Sequence, residues 1–318
     1  MPDRDEYDIR DLELEAPLAS MHEDRYHAFS RPMPIDGADE KGIVFCALKD
    51  RRALEAIGRT RAKIVLADRD LHDAFKGELE TLDKTILFYE DPKRVFVHLV
   101  NRCRGREAAP RIEETASIDP DARIGRGVGI GAFSVIGKCR IGEGSTIGAH
   151  TVIHDGVMIG KNVTIASSCD IGHEGFGFVR EPDGRWVRFP HIGGLIIEDG
   201  VEMFPFCDVS RGSLGDTIIR RGTKMSFQVH VAHNCDIGPH CILTAGVRVA
   251  GSSSLGEACV LGNGAVVKDK IRVGSHVKIG AGAVVVRDVP DETTVVGNPA
   301  EDINTFKERR KPQAAFPK

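Results

Sequence analysis

Gln228-Val229-His230-Val231-Ala232-His233-Asn234 sets two imidazoles three residues apart around one short apolar step. An imidazole titrates near neutrality, so a ring held there could take a proton from an amine or a hydroxyl. The chain has twelve histidines, and most need no such role. His22, His27, His72 and His98 read as ordinary polar residues, and exposure at turns accounts for His150, His240 and His276. For His233, a structural turn residue stays open beside a catalytic base, and the decision rests on what frames it.

That frame is a repeat. Ile219, Met225, Val231, Ile237, Leu243, Val249, Leu255, Leu261, Val267, Val273, Ile279 and Val285 fall six apart, and a second run extends from Ile141 to Ile171, preceded by Ile118, Ile124, Ile130 and Ile136. Neither a helix nor an alternating strand has this period, which marks a stacked-repeat architecture. Many anchors precede glycine, as in Ile124-Gly125 and Ile237-Gly238, so each hexad reads as a short strand and a corner where glycine supplies unusual backbone angles. Two residues before each anchor stands a small or short residue, such as Ser145, Thr151, Cys235 or Ala265. One long and one small inward residue per hexad fill a narrow coil, which predicts a parallel β-helix with three hexads per coil. Eighteen residues then return to the same corner and set Gly251 directly against His233. A free N–H at Gly251 could hold the oxyanion of an attacked thioester carbonyl.

Six of the eight cysteines, Cys139, Cys169, Cys207, Cys235, Cys241 and Cys259, sit two before an anchor and form no CxxC pair, so they read as core residues and no metal site is expected. A net charge of -4 argues against an electrostatic nucleic-acid binder. No run is apolar enough to span a bilayer, and the charged start MPDRDEYDIRDLELE is no signal peptide, so a cytoplasmic protein is expected.

The chain divides into four parts on this reading. Residues 1–28 form a loose polar arm, 29–110 a small α/β domain, 111–300 the β-helix, and 301–318 a short basic tail. In the α/β domain, strands are expected at 42–47, 63–67 and 85–89, and helices at 51–57 and 92–101. Three breaks in the hexads stand out: Ile136 to Ile141 is one residue short, which calls for a tightened or bulged corner, Val209 to Ile219 is four residues too long, and Ile171 to Ile197 twenty. The longest carries Asp183-Gly184 between aromatic-basic runs, which reads as a β-hairpin thrown out of the coil. Loops of this size on a rigid solenoid usually bind something, and a capping or packing loop is the alternative.

Across about residues 30 to 300 the chain resembles the hexapeptide-repeat acyltransferases, and most closely the UDP-3-O-acylglucosamine N-acyltransferases of lipid A biosynthesis. The resemblance rests on Thr115-Ala116-Ser117-Ile118-Asp119-Pro120, Gly175-Phe176-Gly177-Phe178 with Trp186 and Pro190, Arg211-Gly212, Asp216-Thr217 and Val231-Ala232-His233-Asn234. It implies a mainly β fold, a left-handed parallel β-helix behind a small N-terminal α/β domain, assembled as a homotrimer with active sites between subunits. By the same resemblance His233 is the general base and Gly251 the oxyanion amide; His230 is a further catalytic candidate beside them. Phe45 stacks the nucleotide base, and Phe176, Phe178, Trp186, His191, Asp208, Arg211 and Asn234 line the substrate site. Ser226 and Ser210 stand where the family has acidic residues, so His230, Asp208 or Glu174 would have to orient His233. Leu48 and Arg51 replace the family's asparagine and tyrosine beyond Phe45. The ending Val295-Val296-Gly297-Asn298-Pro299-Ala300 resembles sugar acetyltransferases that use acetyl-CoA.

The expected activity is transfer of an acyl group from a thioester, acyl-CoA or acyl carrier protein, to the amine of a nucleotide-linked amino sugar, with no permanently bound cofactor. Two alternatives stay open: the lipid A N-acyltransferase proper with a long 3-hydroxyacyl donor, and a trimeric paralogue that binds sugar nucleotides without catalysis.

Overall fold

The computed structural model describes residues 6–104 and 110–309. The chain separates into two compact units, Met1–Ala108 and Ala109–Lys318.

The first unit is built on a five-stranded sheet in the order Ala19–Met21, Thr85–Tyr89, Ile64–Asp68, Gly42–Cys46, Arg31–Pro32, in which only Ala19–Met21 runs antiparallel to its neighbour. The central strands are apolar throughout because both faces are covered. On one face, helices Arg51–Arg59 and Asp70–Leu79 bury Ala53, Ile57, Leu71 and Leu79. On the other, helix Pro92–Cys103 buries Val95, Leu99 and Cys103 together with Tyr7, Ile9, Leu12 and Phe29. Asp50 and Asp91 begin two of these helices by accepting N–H bonds from Arg52 and Arg94.

This corrects the expectation of a loose arm over 1–28. Among the described residues, Tyr7–Asp8 pairs with Ala28–Phe29, Ala19–Met21 joins the sheet, and the Tyr7 hydroxyl donates to the Cys103 carbonyl at 3.0 Å. The few apolar residues among the acids are enough to seal one sheet face. The helix Asp70–Leu79 was likewise not expected; Gly77 and interior acids hide it, and Phe75 breaks its helical angles. The start of the basic tail forms helix Ile303–Arg309, while the basic residues Arg310 and Lys311 lie outside the described residues.

The second unit is the left-handed parallel β-helix. Its two- to four-residue strands fall into three sheets and pair in parallel with the strand one coil on, as in Val231↔Val249 and Ile237↔Leu255, with one shift of register after Ile171 where the insert leaves. The anchors form one continuous core, with Val231, Ile237, Leu243 and Val249 fully buried. The residues two before them do more than fill space. Ser145, Thr223 and Ser253 donate to the carbonyls of Gly160, Gly238 and Lys268 at 2.8–2.9 Å, and the thiols of Cys235, Cys241 and Cys259 meet carbonyls of the next coil at 3.0–3.2 Å. Serine, threonine and cysteine are therefore interchangeable in role: each is a short donor that ties one corner to the next.

The corner chemistry differs from the sequence expectation. Positive φ falls three residues after the anchor, at His150, Asn162, Asn234, His240 and His276 as well as at Gly222 and Gly246. There it turns the N–H back onto the previous coil, as His240 N–H meets the Arg221 carbonyl at 3.0 Å. The glycines directly after the anchors serve close approach instead: a Cβ on Gly238 would lie 2.2 Å from the Gly256 oxygen.

The long insert leaves the coil after Ile171 and carries the expected hairpin, Phe178–Arg180 against Trp186–Arg188, turning at Gly184 with φ of 87°. Among the described residues no helix is long and apolar enough to cross a membrane.

Candidate functional site

Strand His230–Val231 delivers its chain into a corner at Ala232-His233-Asn234, held from both sides. Ala232 N–H donates to Val249 O at 2.9 Å, and Ser252 N–H of the next coil to His233 O at 2.9 Å. The imidazole therefore stands on backbone fixed by two neighbours. Gly251 lies against it: a Cβ there would sit 2.7 Å from His233 Cε1 and 2.8 Å from Nε2. Only glycine leaves the ring its room. Gly251 N–H is engaged by no acceptor among the described residues.

Asn234 decides the chemistry of the ring. Its backbone has φ of 57°, a conformation asparagine tolerates better than most residues, and its own N–H donates to Thr217 Oγ1 at 2.8 Å. Its Oδ1 accepts from Ser213 N–H at 3.0 Å and from Ser213 Oγ at 2.8 Å. A backbone N–H can only donate, so the atom it meets is the amide oxygen. His233 Nδ1 faces that same oxygen at 3.0 Å and must carry the proton. Nε2 is then the basic nitrogen, and it is the one beside Gly251.

This assigns the orienting role differently from the sequence reading. His230 directs Nδ1 to the Asp208 carboxylate, one coil away in the same sheet. Glu174 accepts from Arg188 within the insert at 3.2 Å. Neither Asp208, Glu174 nor His230 shares a hydrogen bond with His233; Asn234, expected only to touch substrate, does. Ser226 sits after strand Lys224–Met225, on another edge of the prism from His233, and makes no bond to it within this chain. Ser210 is buried beside the root of the insert. Sequence reasoning missed Ser213 and Thr217 as the supports of Asn234. The four-residue excess between Val209 and Ile219 was their visible trace, since Ser213 lies inside it.

The insert closes one side of the corner. A Cβ on Gly175 would approach His191 Nε2 to 2.7 Å and His233 Cδ2 to 2.9 Å, so its glycine lets the loop pass over both rings. His191 is buried, its Nδ1 meets Phe189 O at 3.0 Å, and its ring lies edge-on to His233 with centroids 4.9 Å apart. Burial, and then His233, hold its pKa below the usual histidine value.

Other expected residues are elsewhere. Arg211 donates to the carbonyls of Gly172 and Asp155, bracing the insert's root beside a groove of 430 Å³ lined by His154, Gly172 and Glu174. Phe176, Phe178 and Trp186 stand exposed on the hairpin, where Arg180 covers Trp186 and Arg188 covers Phe178. Phe45, in the first unit, is half-buried with its ring 4.9 Å from that of Phe96.

A β-helix of hexads defines the hexapeptide-repeat class, and the chain's likeness within it is to acyltransferases of the lipid A type. The family model for the bacterial transferase hexapeptide (six repeats) matches residues 121–154. The chain is 40% identical over 156 residues to a UDP-3-O-acylglucosamine N-acyltransferase of Pseudomonas syringae, covering 43% of this chain and 44% of the relative. It is 37% identical over 182 residues to the enzyme of that name from Bradyrhizobium, covering 49% and 51%. The chain thus spans about half the length of these curated relatives. Among solved structures, the UDP-N-acetylglucosamine acyltransferase of Francisella novicida superposes with a TM-score of 0.55 at 27% identity, covering 64% of this chain and 75% of that one.

Proposed function

We propose that the chain is an N-acyltransferase that moves an acyl group from a thioester to the amine of a UDP-linked acylglucosamine, the step of lipid A assembly. The observation that carries this reading is the pairing of a basic His233 Nε2 with Gly251 at a corner where Asn234 fixes the tautomer. The names of the relatives favour this specific acceptor over a wider class of nucleotide-linked amino sugars.

In this mechanism the sugar amine attacks the thioester carbonyl while Nε2 removes its proton. The new C–N bond forms, and the carbonyl oxygen takes negative charge beside Gly251 N–H. Collapse breaks the C–S bond, and the imidazolium returns the proton to the departing thiolate. No step needs a metal; positioning and one proton relay suffice.

The donor is an acyl-CoA or an acyl carrier protein, and the working unit is a homotrimer. Exposed Phe204, Phe206 and Phe227 line one edge of the coil, with Phe204 and Phe227 ring centroids 5.3 Å apart, an apolar strip suited to packing against another copy. Phe45 stacks the uracil in this reading. A cytoplasmic location accords with a soluble nucleotide-sugar acceptor.

The test is acyl transfer to UDP-3-O-acylglucosamine by wild type and His233→Ala, with donors from acetyl-CoA to a fourteen-carbon 3-hydroxyacyl carrier protein. Loss of the base should lower turnover ~100-fold or more with the fold intact. A variant retaining more than about a tenth of the rate removes His233 from its role. Sugar-nucleotide binding by wild type without transfer from any donor would mark a non-catalytic protein.

A further inference from the structure

One face of the coil carries a polar ladder that the acyl-transfer mechanism leaves unused. In the sheet that contains strand His230–Val231, the outward positions of successive coils run Val152, Asp170, Asp208, His230, Arg248, Val266. Strands one coil apart lie about 4.8 Å from each other, so each of these side chains stands beside the next.

The two acids of the ladder are already engaged. Asp170 meets His154 Nε2 at 2.7 Å, and Asp208 meets His230 Nδ1. Two groups are left open. Neither His230 Nε2 nor the exposed Arg248 guanidinium enters a hydrogen bond or ion pair among the described residues. The neighbour of Arg248 on its far side is Val266, so no carboxylate stands beside it in the sheet. A guanidinium next to an imidazole whose other nitrogen is held by a carboxylate suits an anion with several oxygens.

The distance to the reacting corner selects the anion. His230 lies three residues before His233, and Arg248 three before Gly251. The pair therefore stands on the two coils that hold the base and the oxyanion amide, no more than about 10 Å along the chain from either. In a nucleotide-linked acylglucosamine the diphosphate hangs from the carbon next to the one that bears the amine. With that amine at His233 Nε2, the phosphates fall within this span. The phosphates of an acyl-CoA or a carrier protein are a whole pantetheine arm away from the thioester carbonyl, too far to meet the ladder while the carbonyl sits at Gly251.

We propose that Arg248 and His230 hold the diphosphate of the acceptor, Arg248 through its forked N–H groups and His230 through Nε2–H, with Asp208 keeping the opposite ring nitrogen protonated. In the bound state both ring nitrogens face anionic oxygens, so the ring carries both protons. This inference rests on the acyl-transfer reading and names the part of the acceptor that fixes the sugar at the corner.

The test compares two acceptors, UDP-3-O-acylglucosamine and the same sugar with a methyl group in place of UDP, and titrates inorganic pyrophosphate into the full chain by calorimetry. Arg248→Met should raise KM for the nucleotide-linked acceptor about 10-fold with kcat within about 2-fold, and weaken pyrophosphate by a similar factor. His230→Gln should do the same by about 3- to 5-fold, and Arg248→Lys should recover part of the loss. The methyl glycoside should be used equally well by wild type and Arg248→Met. Arg272→Met removes the same charge from another sheet and should change none of these values. An unchanged KM in both ladder variants, or an equal loss with the methyl glycoside, would overturn the proposal. So would a change of oligomeric size on gel filtration that accompanies the loss, since the ladder would then be a contact between copies. Pyrophosphate binding that depends on Arg248 in a wild type without any acyl transfer would support the anion site and overturn the acyl-transfer reading alone.

Discussion

The regular coils from Ile219 to Val289 and the broken stretch from Gly172 to Asp216 solve opposite problems. In the regular coils every position is set twice, inward by the core and along the axis by strand register, and anchors such as Val249 and Leu261 are wholly buried. In the broken stretch the hairpin's side chains are exposed and its hydrogen bonds are local. Between the insert and the loop before Thr217, strands Leu195–Ile197, Glu202–Met203 and Asp208–Ser210 rejoin the coil; of the irregular residues, glycines, His191, Arg211 and Ser213 come back to the frame. The first region supplies a fixed place for His233 and Gly251, and the second supplies what makes that place chemically particular. The candidate site sits on their seam.

The sharpest way to break this contrast is a buried charge. Val231→Asp puts a carboxylate at a fully buried anchor and should cost several kcal/mol, enough to lose the β-helix signal in far-UV circular dichroism or to abolish soluble protein. Val187→Asp on the hairpin, at 49% exposure, should change stability by no more than about 0.5 kcal/mol in urea unfolding. If the hairpin variant unfolds the coil too, the insert is part of the frame and the division is wrong.

A second test separates placement from stability. Gly251→Ala adds a methyl 2.7 Å from His233 Cε1, and the imidazole must move because the backbone beneath it cannot. Displacing a base by about 1 Å costs on the order of 100-fold in rate. Turnover with saturating substrates should fall by that order, while the urea midpoint shifts little, since the three atoms nearest the methyl all belong to the His233 side chain. An unfolding midpoint that falls in step with activity would mean the glycine serves the coil rather than the site.

The two regions also differ in how far the sequence discloses them. The six-residue period runs unbroken from Ile219 to Val285, so the coil, its three-sheet register and the meeting of Gly251 with His233 follow from spacing alone. The hairpin was legible from Asp183-Gly184, because that turn needs a residue tolerant of positive φ. Asn234 as the orienting group was not legible: its partner Ser213 lies in an irregular loop, where no period relates residue number to position. The N-terminal segment stayed hidden for a different reason. Tyr7, Ile9 and Leu12 are too few among acids to register as a pattern, yet they suffice to seal a sheet face already supplied by Leu66 and Leu87.

The smallest effect expected concerns His191, where insert and coil touch. Burial, then His233, depress its folded-state pKa below the ordinary histidine value, so the folded chain resists protonation there and the unfolded chain does not. As pH falls through about 6.5 the unfolded state takes up a proton first. Stability is therefore present at neutral pH and declines as acid is added, until the folded pKa is passed. His191→Gln cannot titrate. Between pH 7.5 and 5.5, conditions of the experiment, the urea midpoint of the coil should fall further for wild type than for His191→Gln. Equal falls would show that the insert's histidine is not held in a dry contact with the coil, and the seam would then be looser than the close approach of Gly175 to both rings requires.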